Sequence, residues 1–151
     1  MRALLKALLH ALGIAAIFEA TDGAGAFDLL RRKEPDLILT DLSMSPVDGL
    51  AFVREVRHSP TSPNPYIPII MVTGHTEKHR VEAARDAGVT EVLAKPIAAG
   101  SLIQRIAEIV NRPRAFVRGG EYFGPDRRRR QTPEFTGPFR RREDQEDIAI
   151  R

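Results

Sequence analysis

Asp36-Leu37-Ile38-Leu39-Thr40-Asp41 is an apolar run that ends on a carboxylate. Short runs rich in Ile and Leu are typical of strands that are buried on both faces of a parallel sheet. Two later runs also end in polar residues, Ile69-Ile70-Met71-Val72-Thr73 and Val92-Leu93-Ala94-Lys95-Pro96. Because ligands bind at the carboxyl edge of open parallel sheets, we expect an acid, a hydroxyl and an amine to meet at this edge.

Strand-like and helical patterns alternate over residues 1–111, which predicts an α/β fold with helices on both faces of a parallel sheet. Strands are predicted over residues 14–19, 36–41, 68–73 and 89–94. Helices are predicted over residues 23–33, 49–58, 77–87 and 101–111, and a further amphipathic helix is predicted at the N-terminus. Ser101 is the expected N-cap of the last helix.

The helical spacing also predicts which side chains face the core. The expected inward residues are Ala26, Leu29 and Leu30 in the first of these four helices, Leu50, Phe52, Val53 and Val56 in the second, and Leu102, Ile106, Ile109 and Val110 in the last.

The net formal charge of +3 conceals a division near residue 111. Residues 1–111 contain 12 Lys and Arg against 13 Asp and Glu, whereas residues 112–151 contain 11 Arg against 7 Asp and Glu. The high isoelectric point therefore belongs to the C-terminal segment. We predict one folded domain over residues 1–111 and a basic, disordered tail over residues 112–151.

The tail contains a repeated element, in which an aromatic residue is followed by any residue, Gly, Pro, any residue and at least three Arg. The two copies span residues 122–130 and 135–142. Arginines interleaved with aromatic residues suggest nucleic-acid binding through phosphate contacts and stacking. Residues 143–147, which are mostly acidic, argue against it. Docking on a partner protein or on the chain's own domain, and a solvated tail with no specific role, all stay open.

Composition excludes several other classes of protein. The chain has no cysteine, so disulfides and thiolate metal sites are excluded. An apolar run long enough to span a membrane, about 18 residues, does not occur in the sequence. Lys6 and His10 interrupt the apolar N-terminus, which argues against a signal peptide and favours a cytoplasmic location.

One ordered set of motifs resembles a known family. Asp41 at a strand end is followed by Met44, Asp48-Gly49, Thr73-Gly74 and Lys95-Pro96. Each motif alone is common, since Asp-Gly is an ordinary turn dipeptide and Thr an ordinary strand residue. In this order they resemble the receiver domains of bacterial two-component response regulators. The resemblance covers residues 1–111 and implies a flavodoxin-like, doubly wound parallel sheet with strand order 2-1-3-4-5.

The resemblance also implies a function. Asp41 would accept a phosphoryl group from a sensor histidine kinase or a phosphotransfer protein, and Lys95 and Thr73 would bind that group. Asp41 and the backbone carbonyl of Ser43 would bind Mg²⁺. The chain would then be a single-domain response regulator in a phosphorelay, active in its own phosphorylation but not a metabolic enzyme.

Other positions would tune this activity. In the family, Gly74 leaves room beside the site, and Ser43 and His75 influence the attack of water on the acyl phosphate. Val92 stands where many members carry an aromatic switch residue. The bond before Pro96 is expected to be cis.

The sequence departs from the family at its N-terminus. Receivers begin with a strand that ends in two acidic residues that help to bind Mg²⁺, and here no Asp or Glu precedes Glu19. We therefore expect a sheet that lacks this strand, a marginally stable domain and weakened or lost Mg²⁺ binding. A start site placed too far downstream is the favoured explanation, with gene decay and a phosphorylation-independent pseudo-receiver that binds a partner as alternatives.

Overall fold

A computed structural model describes residues 1–128 and the backbone of residues 148–150. The helices of this part are α1 (Arg2–Ala11), α2 (Gly23–Lys33), α3 (Gly49–His58), α4 (Lys78–Ala87) and α5 (Ala99–Asn111). The strands are β1 (Ile38–Asp41), β2 (Ile69–Thr73), β3 (Glu91–Ala94), β4 (Phe116–Gly119), β5 (Tyr122–Pro125) and β6 (Ile148–Ile150). None of the helices described has the length and apolar character that a membrane crossing requires.

The central sheet is parallel, with the order β1-β2-β3. All five residues of β2 are buried, and the side chains of the first four alternate between two apolar clusters. Ile69 and Met71 pack with buried residues of α2, α3 and α4, whereas Ile70 and Val72 pack with Leu9 of α1 and with α5. Helices therefore cover both faces of the sheet, which confirms the predicted doubly wound α/β class.

The predicted bounds of α2 and α3 are confirmed, and the observed β1, β2, β3 and α4 lie within the predicted segments. The predicted start of α5 is wrong, because the helix begins at Ala99 with Ala98 in extended geometry at the N-cap, and Ser101 lies inside it. The prediction that Val110 is buried is also wrong, since it is 70% exposed. At 3.6 residues per turn, Val110 lies about 80° around the helix from the buried Leu102.

The prediction of a strand over residues 14–19 is wrong, because these residues form neither a strand nor a helix. In the expected order 2-1-3-4-5, this segment is the second strand, and its one neighbour would be the first strand of the family. Among the described residues, no strand pairs with this segment, and β1 is the edge of the parallel sheet. The segment instead lies along α1, where Ile14 and Ile17 pack in the apolar cluster and Glu19 pairs with Lys6 at 2.6 Å.

The expectation of a tail without packed structure is wrong for residues 116–125. Strands β4 and β5 form an antiparallel pair, to which the backbone of β6 adds on the other side of β4. Phe116 and Phe123 are buried against Tyr66, with ring centroids 5.3 and 5.4 Å from the tyrosine ring. The two phenylalanines of the tail and Tyr66 of the domain together bury enough apolar surface to hold this part of the tail in place. The second copy of the repeat, residues 135–142, lies outside the described residues.

Candidate functional site

The carboxyl ends of the three parallel strands bring Asp41, Thr73 and Lys95 to one edge of the sheet. Asp41 ends β1, Thr73 ends β2, and Lys95 follows β3 directly. The Lys95 Nζ atom donates to Asp41 Oδ2 at 2.7 Å. The backbone N–H of Lys95 donates to the Thr73 carbonyl at 2.9 Å, which extends the β2–β3 pairing to the site. The predicted meeting of an acid and an amine is therefore observed.

Asp41 is held but remains accessible. Its Oδ1 atom accepts a hydrogen bond from the Ser43 backbone N–H at 3.0 Å, so each carboxylate oxygen has one protein donor. The side chain of Asp41 is 22% exposed and that of Lys95 is 33% exposed. A carboxylate with this exposure can be reached by a reacting molecule from solvent, while Lys95 supplies positive charge beside it.

Thr73 does not hydrogen-bond to Asp41. Its side chain is buried, and its Oγ1 atom accepts from the His75 backbone N–H at 2.9 Å. The hydroxyl is therefore held by the loop that leads into α4. The structure brings Thr73 to the correct edge but leaves it engaged with His75.

The His75 loop carries a charged pair at the entry to α4. The Nδ1 atom of His75 lies 4.0 Å from Glu77 Oε2, and the Nε atom of Arg80 lies 3.8 Å from the same oxygen. A hydrogen bond from its own backbone N–H, aided by the charges of His75 and Arg80, lowers the pKa of Glu77. Glu77 therefore stays ionised at the helix entrance, where negative charge is favourable.

The remaining positions that were predicted to tune the activity differ in how deeply they are buried. Gly74 is exposed, and a Cβ there would meet nothing within 4 Å. Val92 is partly buried and packs against the cluster of α2, α3 and α4. The peptide bond before Pro96 is cis, as the resemblance implied, and the bond between Ser45 and Pro46 is also cis.

The loop after Asp41 is closed by α3. Asp48 caps this helix by accepting from the Ala51 backbone N–H at 2.7 Å, and the Gly49 N–H donates to the Leu42 carbonyl at 3.0 Å. The backbone of Asp41 passes so close that a Cβ on Gly49 would lie 2.2 Å from the Asp41 carbonyl oxygen. The Asp48-Gly49 pair is thus a structural support of the site.

The residues around Asp41 fit only a water-rich magnesium site. Mg²⁺ takes oxygen ligands and is commonly bound through one or two carboxylates together with phosphate and water. Within the described part of the chain, no group of three or more His, Cys, Asp or Glu is placed to hold a metal ion. The oxygen donors that the resemblance assigns here, the Asp41 carboxylate and the Ser43 carbonyl, meet the lower end of that requirement.

Comparison with known proteins agrees with this geometry. Residues 1–107 match the response regulator receiver domain family. The chain belongs to this family. It is 32% identical over 112 residues to the chemotaxis protein CheY of Pseudomonas aeruginosa. The aligned region covers 74% of this chain and 89% of that protein.

Two further matches are chemotaxis proteins of Vibrio cholerae. The chemotaxis protein CheY-3 of Vibrio cholerae is 29% identical over 112 residues, covering 74% of this chain and 85% of that protein. The solved structure of the Vibrio cholerae chemotaxis protein CheY4 matches with a TM-score of 0.64 and 25% identity, over 72% of this chain and 88% of that one. The receiver fold is therefore shown by sequence and by structure.

Sequence reasoning missed two buried charged residues of this receiver. Arg57 is 3% exposed and donates to the carbonyl oxygens of Gly88, Pro65 and Ile67 at 3.0, 2.7 and 2.8 Å. Glu91 is 5% exposed and pairs with arginines of α5 and of the segment that follows it. The helical spacing contained a signal for Arg57, because it lies four residues after Val53 on the apolar face of α3.

Proposed function

We propose that this receiver is a phosphoacceptor, and that Asp41 takes a phosphoryl group from a phosphohistidine of a sensor histidine kinase or a phosphotransfer protein. The observation that supports the proposal is the 2.7 Å contact between Lys95 Nζ and Asp41 Oδ2 at the exposed edge of the sheet. A carboxylate is a known covalent nucleophile, and a fixed ammonium group beside it stabilises charge that develops during transfer.

The groups at this edge and the phosphohistidine donor account for every bond that the transfer forms and breaks. One carboxylate oxygen of Asp41 forms a bond to phosphorus, the bond between phosphorus and the donor imidazole nitrogen breaks, and that nitrogen keeps the electron pair. The Lys95 ammonium moves from the carboxylate to a phosphoryl oxygen, and the Thr73 hydroxyl leaves His75 to donate to another. The added charge of about −1.5 to −2 is the driving force for this rearrangement.

Mg²⁺ would be held by the Asp41 carboxylate and the Ser43 carbonyl, with water filling the remaining positions. When bound, it supplies positive charge that neutralises the phosphoryl oxygens. The small number of protein donors makes weak binding the expected outcome. Ser43 and His75 would influence the lifetime of the acyl phosphate, and Val92 in place of an aromatic residue would alter how Thr73 couples to the rest of the fold.

The role that follows is that of a cytoplasmic phosphorelay protein that is not a metabolic enzyme. Its chemistry ends at its own phosphorylation and dephosphorylation. The output partner would recognise the phosphorylated form of the receiver.

Incubation of the full chain with acetyl phosphate and Mg²⁺, followed by intact-mass measurement, tests the proposal. We expect a gain of one phosphoryl group in the wild type, none in Asp41→Asn, and a strongly reduced gain in Lys95→Gln. Gly100→Ala is a matched control, since a Cβ at Gly100 meets nothing within 4 Å. A folded wild-type protein that gains no mass, or an Asp41→Asn variant that gains it equally, would contradict the proposal.

The competing hypothesis is a pseudo-receiver that binds a partner without phosphorylation. It is favoured by one observation: within the described residues, no group of three or more His, Cys, Asp or Glu is placed to hold a metal ion. An unphosphorylated chain that binds its partner as strongly with Asp41→Asn as without it would support this alternative.

A further inference from the structure

Helix α4 contributes only small side chains to the core. Among the described residues it buries only Ala84 and Ala87, whereas α3 buries Phe52 and two valines as well as Gly49 and Arg57. Hydrophobic stabilisation grows with the apolar area removed from water, and an alanine methyl group contributes little area. Contacts at its two ends therefore contribute a larger share of what holds α4 than they do for α3.

The C-terminal end of α4 is held by the hairpin, which we define as β4, β5 and the residues up to Arg128. Arg127 Nη1 lies 2.5 Å from Asp86 Oδ1, and the Arg127 guanidinium stacks over the Tyr122 ring at 4.5 Å. Gly88 and Gly124 touch through their backbones, since a Cβ on Gly124 would lie 2.9 Å from Gly88 Cα. The first copy of the repeat is thus a docking element whose aromatic residue, Gly and first Arg each make a contact.

The other end of α4 begins at the phosphoacceptor edge. Its N-cap is Glu77, whose carbonyl accepts from the backbone N–H groups of Arg80 and Val81 at 3.0 and 3.2 Å. Two residues earlier, the His75 N–H donates to Thr73 Oγ1 at 2.9 Å. A ten-residue helix, about 15 Å long, therefore connects the hairpin to the hydroxyl that must move for phosphoryl binding.

We propose that the hairpin is an autoinhibitory strap, in which docking of β4 and β5 on the end of α4 favours the state where Thr73 is held by His75. The proposal rests on the proposed phosphoacceptor function. Movement of the Thr73 hydroxyl to a phosphoryl group breaks its bond to His75 and alters the entry to α4, which opposes docking at the other end of the helix. Because coupling between two equilibria is reciprocal, undocking of the hairpin must favour phosphorylation by the same factor.

The first experiment tests the coupling without phosphorylation. Hydrogen exchange is measured by mass spectrometry in the wild type, in Gly124→Ala, which forces a methyl group to within 2.6 Å of Tyr122 Oη, and in Phe123→Ala, which removes a buried ring of β5. Gly100→Ala adds the same methyl group in open space. We expect faster exchange, by about threefold or more, in the hairpin, in α4 and at His75 in both hairpin variants, with no change in the control. Faster exchange confined to the hairpin would overturn the proposal.

The second experiment measures phosphorylation of the full chain with acetyl phosphate and Mg²⁺. We expect phosphorylation of the wild type to increase exchange in residues 116–125, and Gly124→Ala to reach a plateau ratio of phosphorylated to unphosphorylated chain about threefold higher than the wild type and Gly100→Ala. A wild type that gains mass with unchanged hairpin exchange, or equal plateau ratios in all three proteins, overturns the strap alone. A wild type that gains no mass rejects the phosphoacceptor function, while the first experiment still decides the coupling.

Discussion

At the scale of single residues, the phosphoacceptor edge depends on how closely backbone segments approach one another. Gly49 lies against the backbone of Asp41 and Leu42, and its N–H donates to the Leu42 carbonyl. No side chain fits between them, because an ideal Cβ would overlap the Asp41 carbonyl oxygen at 2.2 Å. The glycine therefore allows the first turn of α3 to lie directly against the end of β1, beside Asp41.

Gly49→Ala tests this dependence. The added methyl group must push the loop after β1 away from α3, at a cost of about 1 to 3 kcal/mol in the free energy of unfolding. We also expect the initial rate of phosphorylation by acetyl phosphate to fall by about tenfold or more, because small displacements of a reacting group have large effects on rate. Thermal melts and intact-mass time courses measure both quantities. A variant as active and as stable as Gly100→Ala would show that the close contact has no role.

At the scale of elements, the hairpin packs on a buried arginine of α3. Arg57 of α3 donates to three carbonyl groups, and its guanidinium lies 5.0 Å from the Phe116 ring. Burial lowers the pKa of Arg57 to about 10, so the side chain stays charged at neutral pH. The face of an aromatic ring attracts a cation, and the attraction is stronger when the cation has little contact with water. The contact between Arg57 and Phe116 therefore favours the packing of β4 on α3.

Tyr122 reports whether the hairpin is docked. Burial raises its pKa to about 12, while its hydroxyl donates to the Pro125 carbonyl at 2.7 Å. Since the unfolded chain releases this proton near pH 10, the contribution of Tyr122 to stability is complete below pH 10 and is lost as the pH rises from about 10 to about 12. Arg57 changes charge in an overlapping range with the opposite sign, so the phenol must be observed directly.

We expect the phenolate absorbance of Tyr66→Phe, which retains Tyr122 as its one tyrosine, to rise with a midpoint near pH 12. Adding Gly124→Ala to this variant undocks the hairpin and should shift the midpoint toward 10. Adding Gly100→Ala should leave it unchanged. A midpoint near 10 in Tyr66→Phe itself would mean that Tyr122 is not buried as the structure has it.

At the scale of the whole molecule, the sequence predicted what depends on local pattern. Apolar runs that end in polar residues predicted the positions of Asp41, Thr73 and Lys95, because the ends of parallel strands share one edge. The strand over residues 14–19 was predicted from the same kind of run and is absent, because a strand also needs a neighbour with which to pair. The hairpin was missed for a related reason, since its aromatic residues find their partners in Tyr66 and Arg57, far away in the chain.

The contacts of the hairpin with α3, with α4 and with Tyr66 in the loop before β2 predict that residues 1–125 unfold as one cooperative unit. Phe123→Ala removes a buried ring, which typically costs about 3 to 5 kcal/mol. We expect one unfolding transition whose midpoint falls by roughly 10 °C, with near-ultraviolet and far-ultraviolet circular dichroism changing together. Ile103→Ala is the control, because Ile103 is 45% exposed on α5 and should shift the midpoint far less. If the hairpin unfolded independently of the domain, Phe123→Ala would leave the midpoint of the main transition unchanged. The hairpin would then not be energetically coupled to the phosphoacceptor edge.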